Sequence, residues 1–311
     1  MDVRPPHGSA RESNMTWEQR VVWTGTSNFD RRRSLARPGR FEDALARGRS
    51  LVRDRPASAL FALLVLVSLA FAAFPHLDLA VSGLFAVPGQ GFPLSRDEGL
   101  LAIRDLNRVL PIWIASALAL LLLARGLWGA RRFLPPPHAI LHVLSVYLVA
   151  CLGIVHMLKN TVGRARPEHI LAFGGEDRFT VAWQFSDACR TNCSFSSGEA
   201  ASAMAMMALA MLAPRGLRLR AGLTLLLPML VFSLNRVAFG SHFLSDVLVS
   251  WLVVALTALL LGRVFARHAA AIDGGIDGRW RAPLARALKR LRVFGRDAAV
   301  QARALFLRAA A

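Results

Sequence analysis

Six apolar stretches without charged residues constrain this chain more than any other feature. They occupy residues 56–77, 109–124, 133–158, 200–214, 221–235 and 247–262. The first and third reach the roughly 20 residues that cross a bilayer, and the others do so if their helices continue into the polar residues beside them. We therefore predict an all-α, polytopic membrane protein with six transmembrane helices. A chain with fewer spans and buried helical hairpins is the alternative.

The positive charge of the chain is distributed unevenly between the predicted loops. The net charge is +18, of which residues 1–56 hold +5 and the residues from 267 onward hold +7. These segments and the arginine-containing loops 125–137 and 214–220 fall on one side if six spans alternate, and the positive-inside rule makes that side cytoplasmic. Both termini are thus predicted to be cytoplasmic, and the basicity does not call for a nucleic-acid partner. The outward loops are then 78–108, 159–199 and 236–246.

The same pattern divides the chain into three parts. Residues 1–56 form an Arg-rich cytoplasmic region that we expect to be poorly ordered, residues 57–266 form the six-helix membrane domain, and residues 267–311 form a basic cytoplasmic tail. Three tail leucines share one helical face among basic residues, which is typical of an amphipathic helix on anionic headgroups, although a solvated helix fits as well. They are Leu284, Leu288 and Leu291.

Polar residues cluster at the outward ends of the spans, where charge is costly and often functional. One cluster joins the fifth and sixth predicted spans and contains Arg236, His242 and Asp246. Because His242 and Asp246 are four residues apart, they share a face of a helix. Asp246 can then accept the Nδ1 proton of His242 and leave Nε2 as a directed nucleophile or base. The alternative is a His–Asp pair that only satisfies a helix end.

A second cluster places two cations at the end of the third predicted span. Lys159 and Arg166 are seven residues apart, and Lys159 is one of only two lysines beside 36 arginines. A lysine in such a composition indicates a compact point charge, which suits a phosphate oxygen. Interfacial cations that reach from the helix to the membrane surface are the alternative.

The third cluster opens the fourth predicted span with the residues Ser196, Ser197, Gly198 and Glu199. Serine hydroxyls and free N–H groups at a helix N-terminus form an anion site. The spacing of Ser196 and Glu199 also fits a capping box, which is purely structural. Together the three clusters predict a phosphate pocket with three cations, a helix N-terminus and an oriented histidine, which are the groups that phosphoryl transfer requires.

The pattern Lys159-x6-Arg166-Pro167, Ser197-Gly198, Arg236-x5-His242-x3-Asp246 resembles the three-part signature of the type 2 phosphatidic acid phosphatase superfamily, over residues 58–262. The resemblance implies phosphate hydrolysis through a phosphohistidine, with no metal and no cofactor. It makes His242 the nucleophile and Asp246 the residue that orients it. The phosphate-binding residues would be Lys159, Arg166, Ser197, Gly198 and Arg236.

One departure from the family concerns the acid for the leaving group. The second motif of the family reads Pro-Ser-Gly-His, whereas this chain has Glu199 in the place of the histidine. Glu199 is the candidate acid, but neighbouring cations favour its ionised form. His156, His169 or water are the alternatives, or else the leaving group needs little help. This favours a lipid A phosphate or a polyprenyl pyrophosphate over phosphatidate or phosphatidylglycerophosphate.

The three cysteines fall into two groups. Cys189 and Cys193 are close enough in sequence to form one disulfide if their loop faces an oxidising compartment, whereas Cys151 lies in an apolar run and is expected to pack.

The sequence therefore predicts a lipid phosphate phosphatase of the bacterial inner membrane with its active site facing the periplasm. The lipid tail would stay in the bilayer while the phosphate enters between the third, fourth and sixth spans. The expected partners are the lipid phosphate substrate, membrane lipids, and anionic headgroups at the cytoplasmic tails. A lipid phosphotransferase and a catalytically silent lipid-phosphate binder or transporter remain the alternatives.

Overall fold

Helices make up the regular structure of the residues that the computed structural model describes, which are 54–131, 133–283, 286–287 and 290. The predicted all-α class is confirmed for these residues, where pairing of strand type is limited to two isolated bridges. The predictions for residues 1–53 and for the leucine face of the tail lie outside them. The longer helices are α1 Pro56–Ala73, α2 His76–Gly83, α3 Glu98–Trp128, α4 Pro137–Thr161, α5 Gly198–Leu212, α6 Arg218–Ala238, α7 Leu244–Arg267 and α8 Ala269–Ile276.

Five of these helices are long and apolar enough to cross a bilayer, namely α1, α3, α4, α6 and α7. The helices α3, with 31 residues, and α7, with 24, extend past their apolar stretches into polar residues, as predicted. Helix α5 is shorter, because its nine α-helical and six 3₁₀ residues rise only about 25 Å, against roughly 30 Å of hydrocarbon. The polytopic membrane fold is confirmed, whereas six crossings and cytoplasmic termini stay predictions.

Helix α5 lies in the centre of the helix packing because its side chains are small. It contacts α4, α6 and α7, and small residues let helix backbones approach closely in membrane proteins. Its fully buried alanines are Ala200, Ala201, Ala203 and Ala205. Helix α1 is the opposite case, since within this described helix only Phe71 is buried. Its apolar side chains are thus available to lipid.

At one end of the bundle, α8 and the residues after it are fastened to α3 and α4. Arg125, in the last turn of α3, forms a 2.7 Å ion pair with Asp277, and His138, in the first turn of α4, lies 2.8 Å from Asp273. The ring of Trp280 lies over Gly126, where any side chain would collide with it. This part of the predicted tail is therefore held by specific contacts.

The polar clusters lie at the other end of the bundle, where α4 and α6 end and where α5 and α7 begin. Gly163 follows α4 with φ of +69°, and its backbone passes so close to the carbonyl of Ser186 that a side chain has no room. Gly240, with φ of +67°, makes the turn between α6 and α7 beneath the ring of Phe92. The positive φ values favour glycine at both points, and the two turns bring the distant clusters together.

Candidate active site

His242 lies on the turn between α6 and α7, and its side chain is almost completely buried. Its Nδ1 is 2.7 Å from the main-chain oxygen of Ser194, so the proton belongs on Nδ1, which donates to that oxygen. Nε2 then carries the free lone pair that a nucleophile needs.

The direct hydrogen bond expected between Asp246 and His242 is replaced by this contact with Ser194. Asp246 Oδ2 lies 3.9 Å from His242 Nδ1, which is beyond hydrogen-bond length. The carboxylate still lies close enough to stabilise a positive charge on the ring. Sequence spacing brought the two residues to one place but did not reveal Ser194, which comes from a loop 48 residues earlier.

The charge state of His242 follows from its surroundings. Burial lowers the pKa of His242 to about 4, and the repulsion from Lys159 and Arg236 acts in the same direction, against the attraction of Asp246. The imidazole is therefore neutral at neutral pH, which is the form that can attack phosphorus.

Asp246 is held by three donors at the start of α7. Its carboxylate accepts a 2.5 Å hydrogen bond from the Ser194 hydroxyl, a 2.9 Å bond from the Phe243 N–H and a 2.5 Å bond from Arg164 Nη1. A carboxylate in the first turn also complements the positive end of the helix dipole. The side chain has one fixed position, and Ser194 links it to the carbonyl that holds His242.

Sequence reasoning missed the role of Arg164, which is completely buried behind Asp246. Its Nη2 donates to Asp78 at 2.9 Å and its Nε donates to the carbonyl of Thr180 at 2.8 Å. The guanidinium lies over the Phe243 ring, 4.1 Å from its centroid. Position 164 lies between Lys159 and Arg166 in the second predicted cluster, but its partner Asp78 is 86 residues away and has no signal in the sequence.

The three predicted phosphate-binding cations face one region. Lys159, near the end of α4, is within electrostatic range of Arg166 and Arg236. Arg166 Nη2 donates to the main-chain oxygen of Asn192 at 3.0 Å. Arg236 is buried, and its Nη1 has no hydrogen-bond partner among the described residues. A buried guanidinium N–H without a partner is costly, so this atom is available to an oxygen of a ligand.

The N-terminus of α5 adds backbone and hydroxyl groups to the same region. Ser197 is the N-cap residue, and its hydroxyl accepts from the Ala200 N–H at 3.3 Å. The capping box considered for Ser196 and Glu199 is not formed, since Ser197 takes that position. Gly198 faces Lys159, because a Cβ built on it would lie 4.0 Å from Lys159 Nζ. The first N–H groups of α5 therefore lie beside the lysine, as an anion site requires.

Glu199 points toward arginines instead of its own helix end. It forms an ion pair with Arg236 and a second one with Arg108, whose Nε is 2.7 Å away. Asn107 adds a 3.1 Å bond to the main-chain oxygen of Glu199. Two guanidinium groups hold the carboxylate in its ionised form. Arg108 and Asn107 lie on α3, and sequence reasoning missed both because they belong to none of the three clusters.

The loop before α5 carries the two cysteines. Cys189 and Cys193 are joined in a disulfide, with their Cα atoms 5.5 Å apart. Asn192 lies inside this small ring and offers its carbonyl to Arg166. The disulfide therefore restricts a segment that helps to position one of the cations. Cys151 is a free cysteine in α4.

A cavity of about 770 Å³ runs from this region along α3 and α4. Its polar end is lined by Lys159, Asn192 and Gly198, and its wall farther along α4 includes Tyr147 and Leu152. The phosphate was expected to enter between the third, fourth and sixth predicted spans, which are α4, α5 and α7. The cavity is lined mostly by α3 and α4, which are the second and third predicted spans. Leu152 is 68% exposed, so the groove has an apolar rim that is open to the bilayer.

The two histidines considered as alternative acids lie apart from Glu199. His156 lines the cavity wall, while the side chain of His169 is 58% exposed and lies 4.0 Å from Glu168. Within the described part of the chain, no three His, Cys, Asp or Glu side chains form a group that could hold a metal ion.

A polytopic helical bundle whose helix ends join a neutral histidine to three cations and a helix N-terminus defines a membrane protein of the phosphatase class. The model of the PAP2 superfamily matches residues 139–269, the segment that holds all three clusters. The chain belongs to the PAP2 superfamily, in its membrane lipid phosphatase branch.

Two relatives that are named lipid A 4'-phosphatases support this assignment. The chain is 31% identical over 206 residues to a lipid A 4'-phosphatase of Rhizobium leguminosarum, a match that covers 61% of this chain and 88% of the relative. It is 33% identical over 211 residues to a lipid A 4'-phosphatase of Rhizobium etli, covering 61% and 80% respectively. The crystal structure of a transmembrane PAP2-type phosphatidylglycerolphosphate phosphatase from Bacillus subtilis aligns with a TM-score of 0.46 and 19% identity, over 68% of this chain and 96% of that one.

Proposed function

We propose that this protein removes a phosphate group from a membrane lipid, with a lipid A phosphate as the favoured substrate, at the periplasmic face of the bacterial inner membrane. The observation that carries the proposal is a buried, neutral His242 within electrostatic range of Lys159 and Arg236. The two Rhizobium relatives are named lipid A 4'-phosphatases, and the groove along α3 and α4 leads from the cations to an apolar rim. A phosphate in the pocket would thus leave its lipid chain in the bilayer.

In the first chemical step, His242 Nε2 attacks phosphorus and the ester oxygen leaves with the bonding electron pair. Lys159, Arg166 and the unpaired Nη1 of Arg236 hold the non-bridging oxygens, where negative charge develops. The proton on His242 Nδ1 stays there and continues to be donated to the Ser194 carbonyl. The phosphorylated ring is therefore a cation close to Asp246. These side chains supply the positive field, and we therefore propose that the reaction needs no metal.

In the second step, water attacks phosphorus, the P–Nε2 bond breaks with its electron pair returning to His242, and the attacking water must lose a proton. Glu199 is ionised between two arginines, so it is better suited to accept this proton than to donate one in the first step. The leaving oxygen then takes its proton from water. This arrangement favours lipids with a good leaving group.

A phosphate-release assay on purified protein in detergent tests the proposal. The panel contains a phosphorylated lipid A, a polyprenyl pyrophosphate and phosphatidate, each with and without EDTA. We expect release to be fastest from one of the first two, to persist in EDTA and to vanish in His242→Ala with the melting temperature retained. His138→Ala is the matched control, since His138 lies at the other end of α4.

Three results would contradict the proposal. Full activity in His242→Ala would exclude the phosphohistidine. Labelled phosphate that appears on an acceptor lipid and not in solution would identify a phosphotransferase. Binding of phosphorylated lipid with no turnover across the panel would identify a silent binder.

A further inference from the structure

Asp78 is a buried carboxylate that none of the three polar clusters contains. It lies in α2, about 80 residues before the nearest of them, and is 1% exposed. Its Oδ1 accepts from the Ser245 N–H at 2.9 Å. Its Oδ2 accepts from the Ser245 hydroxyl at 2.6 Å and from Arg164 Nη2 at 2.9 Å. Both partners, Ser245 and Arg164, are next to Asp246, either in sequence or through a hydrogen bond.

Arg164 lies between two carboxylates and is saturated by them. Its Nη1 binds Asp246 at 2.5 Å and Ser245 Oγ at 2.9 Å, while its Nη2 binds Asp78. The side chains of Arg164, Asp78 and Asp246 are all less than 2% exposed. Burial, with the repulsion from Asp246, raises the pKa of Asp78, whereas Arg164 and Ser245 act in the other direction and favour its ionised form. With both carboxylates ionised, one cation faces two anions and a net charge of −1 is buried, and an uncompensated buried charge is expensive.

This excess negative charge lies beside the His242 ring, where it can stabilise a positive charge. Asp246 Oδ2 is 3.9 Å from the His242 ring, and attack by Nε2 turns that ring into a cation. If Arg164 had Asp246 as its only partner, the pair would be neutral and would stabilise the cation less. Asp78 takes a share of the guanidinium, so Asp246 keeps its negative field toward His242.

Asp78 also fixes the start of α7. It accepts from the main chain and the side chain of Ser245, which precedes Asp246, and a carboxylate bound to N–H groups at a helix N-terminus holds that turn in place. Position and charge are thus controlled by the same residue.

We propose that Asp78 is a positioning residue for His242, which acts through Arg164 and Ser245 to hold Asp246 in place and to leave it the negative charge that a phosphorylated imidazole requires. This inference rests on the proposed role of His242 as nucleophile. Asp78 touches neither the substrate nor the reacting atoms, because its side-chain bonds go to Arg164 and Ser245 and not to Lys159, Arg166 or Arg236.

The test compares Asp78→Asn with Asp277→Asn, which removes the same charge from another arginine-paired aspartate at the far end of the bundle. We expect kcat of Asp78→Asn to fall about tenfold, because the positive charge that develops on the ring in the transition state is stabilised less. KM and the inhibition constant of inorganic phosphate should stay near wild type, because the proposed phosphate-binding cations Lys159, Arg166 and Arg236 are unchanged. Asp277→Asn should keep the wild-type kcat.

Two outcomes for Asp78→Asn would overturn the inference. One is an unchanged kcat. The other is a rise in the phosphate inhibition constant that parallels the loss of kcat and of melting temperature, since a merely structural role predicts that pattern.

A second variant covers the case in which Asp78→Asn does not fold. Ser245→Ala keeps every charge and removes one hydroxyl between Asp78 and Arg164. We expect a smaller loss of kcat with the inhibition constant of phosphate retained, and a wild-type kcat would contradict the inference. Activity in His242→Ala would instead defeat the proposed function itself. Inactivity there, with normal kcat in Asp78→Asn, would defeat this inference alone.

Discussion

Glu199 and His242 lie near the same cations, but Glu199 is charged and His242 is neutral. His242 is neutral because burial lowers its pKa, whereas Glu199 is ionised because Arg236 and Arg108 both pair with it. The Glu199 carboxylate is paired with Arg236, which is one of the cations proposed to bind the phosphate. A bound phosphate must therefore compete with Glu199 for Arg236, and Arg108 gives the displaced carboxylate a place to remain.

The Glu199→Gln substitution separates the two effects of this carboxylate. We expect a lower inhibition constant for inorganic phosphate, because Arg236 and Arg108 lose the anion with which they are paired. We also expect kcat to fall about 10²-fold, because the proposed base of the second step is removed. Steady-state kinetics on the best substrate of the panel measures both, with Glu176→Gln on an exposed loop as the control. An unimpaired kcat would show that Glu199 takes no part in proton transfer.

At the scale of helices, the sequence predicted the long elements well and their contacts poorly. Apolar run length located α3, α4, α6 and α7, because span length is a local property. The pairing of Arg164 with Asp78 spans 86 residues and that of Arg108 with Glu199 spans 91. Such pairs depend on which helix ends meet, and neither periodicity nor charge count records that. The His242 contact with Ser194 escaped prediction for the same reason.

The loop before α5 gives a prediction at this scale. Because the disulfide of Cys193 restrains Asn192, whose carbonyl binds Arg166, the Cys189→Ser/Cys193→Ser double variant should hold Arg166 less firmly. We expect KM and the phosphate inhibition constant to rise more than kcat falls, since Ser194, which follows Cys193, is also held by its bonds to His242 and Asp246. The Asp187→Asn variant, at an exposed position of the same loop, is the control. A proportional loss of kcat with unchanged KM would contradict this account.

For the whole molecule, charge and helix length bear on orientation in different ways. The arginine-rich segments predict cytoplasmic termini only if an even number of helices crosses the membrane. Five helices are long enough, and α5 is short. The N-terminus of α5 lies in the polar site, so its shortness matters at the other end, where the chain turns through Arg215–Leu217 into α6. The bilayer must thin beside α5 if six spans are to exist, which is a modest cost.

Labelling with a membrane-impermeant thiol reagent decides this topology. In a Cys151→Ala background, where the disulfide-bonded cysteines do not react, Gln90→Cys probes the loop after α2 and Gly216→Cys probes the turn between α5 and α6; both positions are exposed. If α5 crosses the membrane, spheroplasts should label position 90 directly and position 216 only after permeabilisation. Direct labelling of both positions would place them on one side and contradict a crossing by α5. Direct labelling of position 216 alone would reverse the orientation and move the site away from the periplasm.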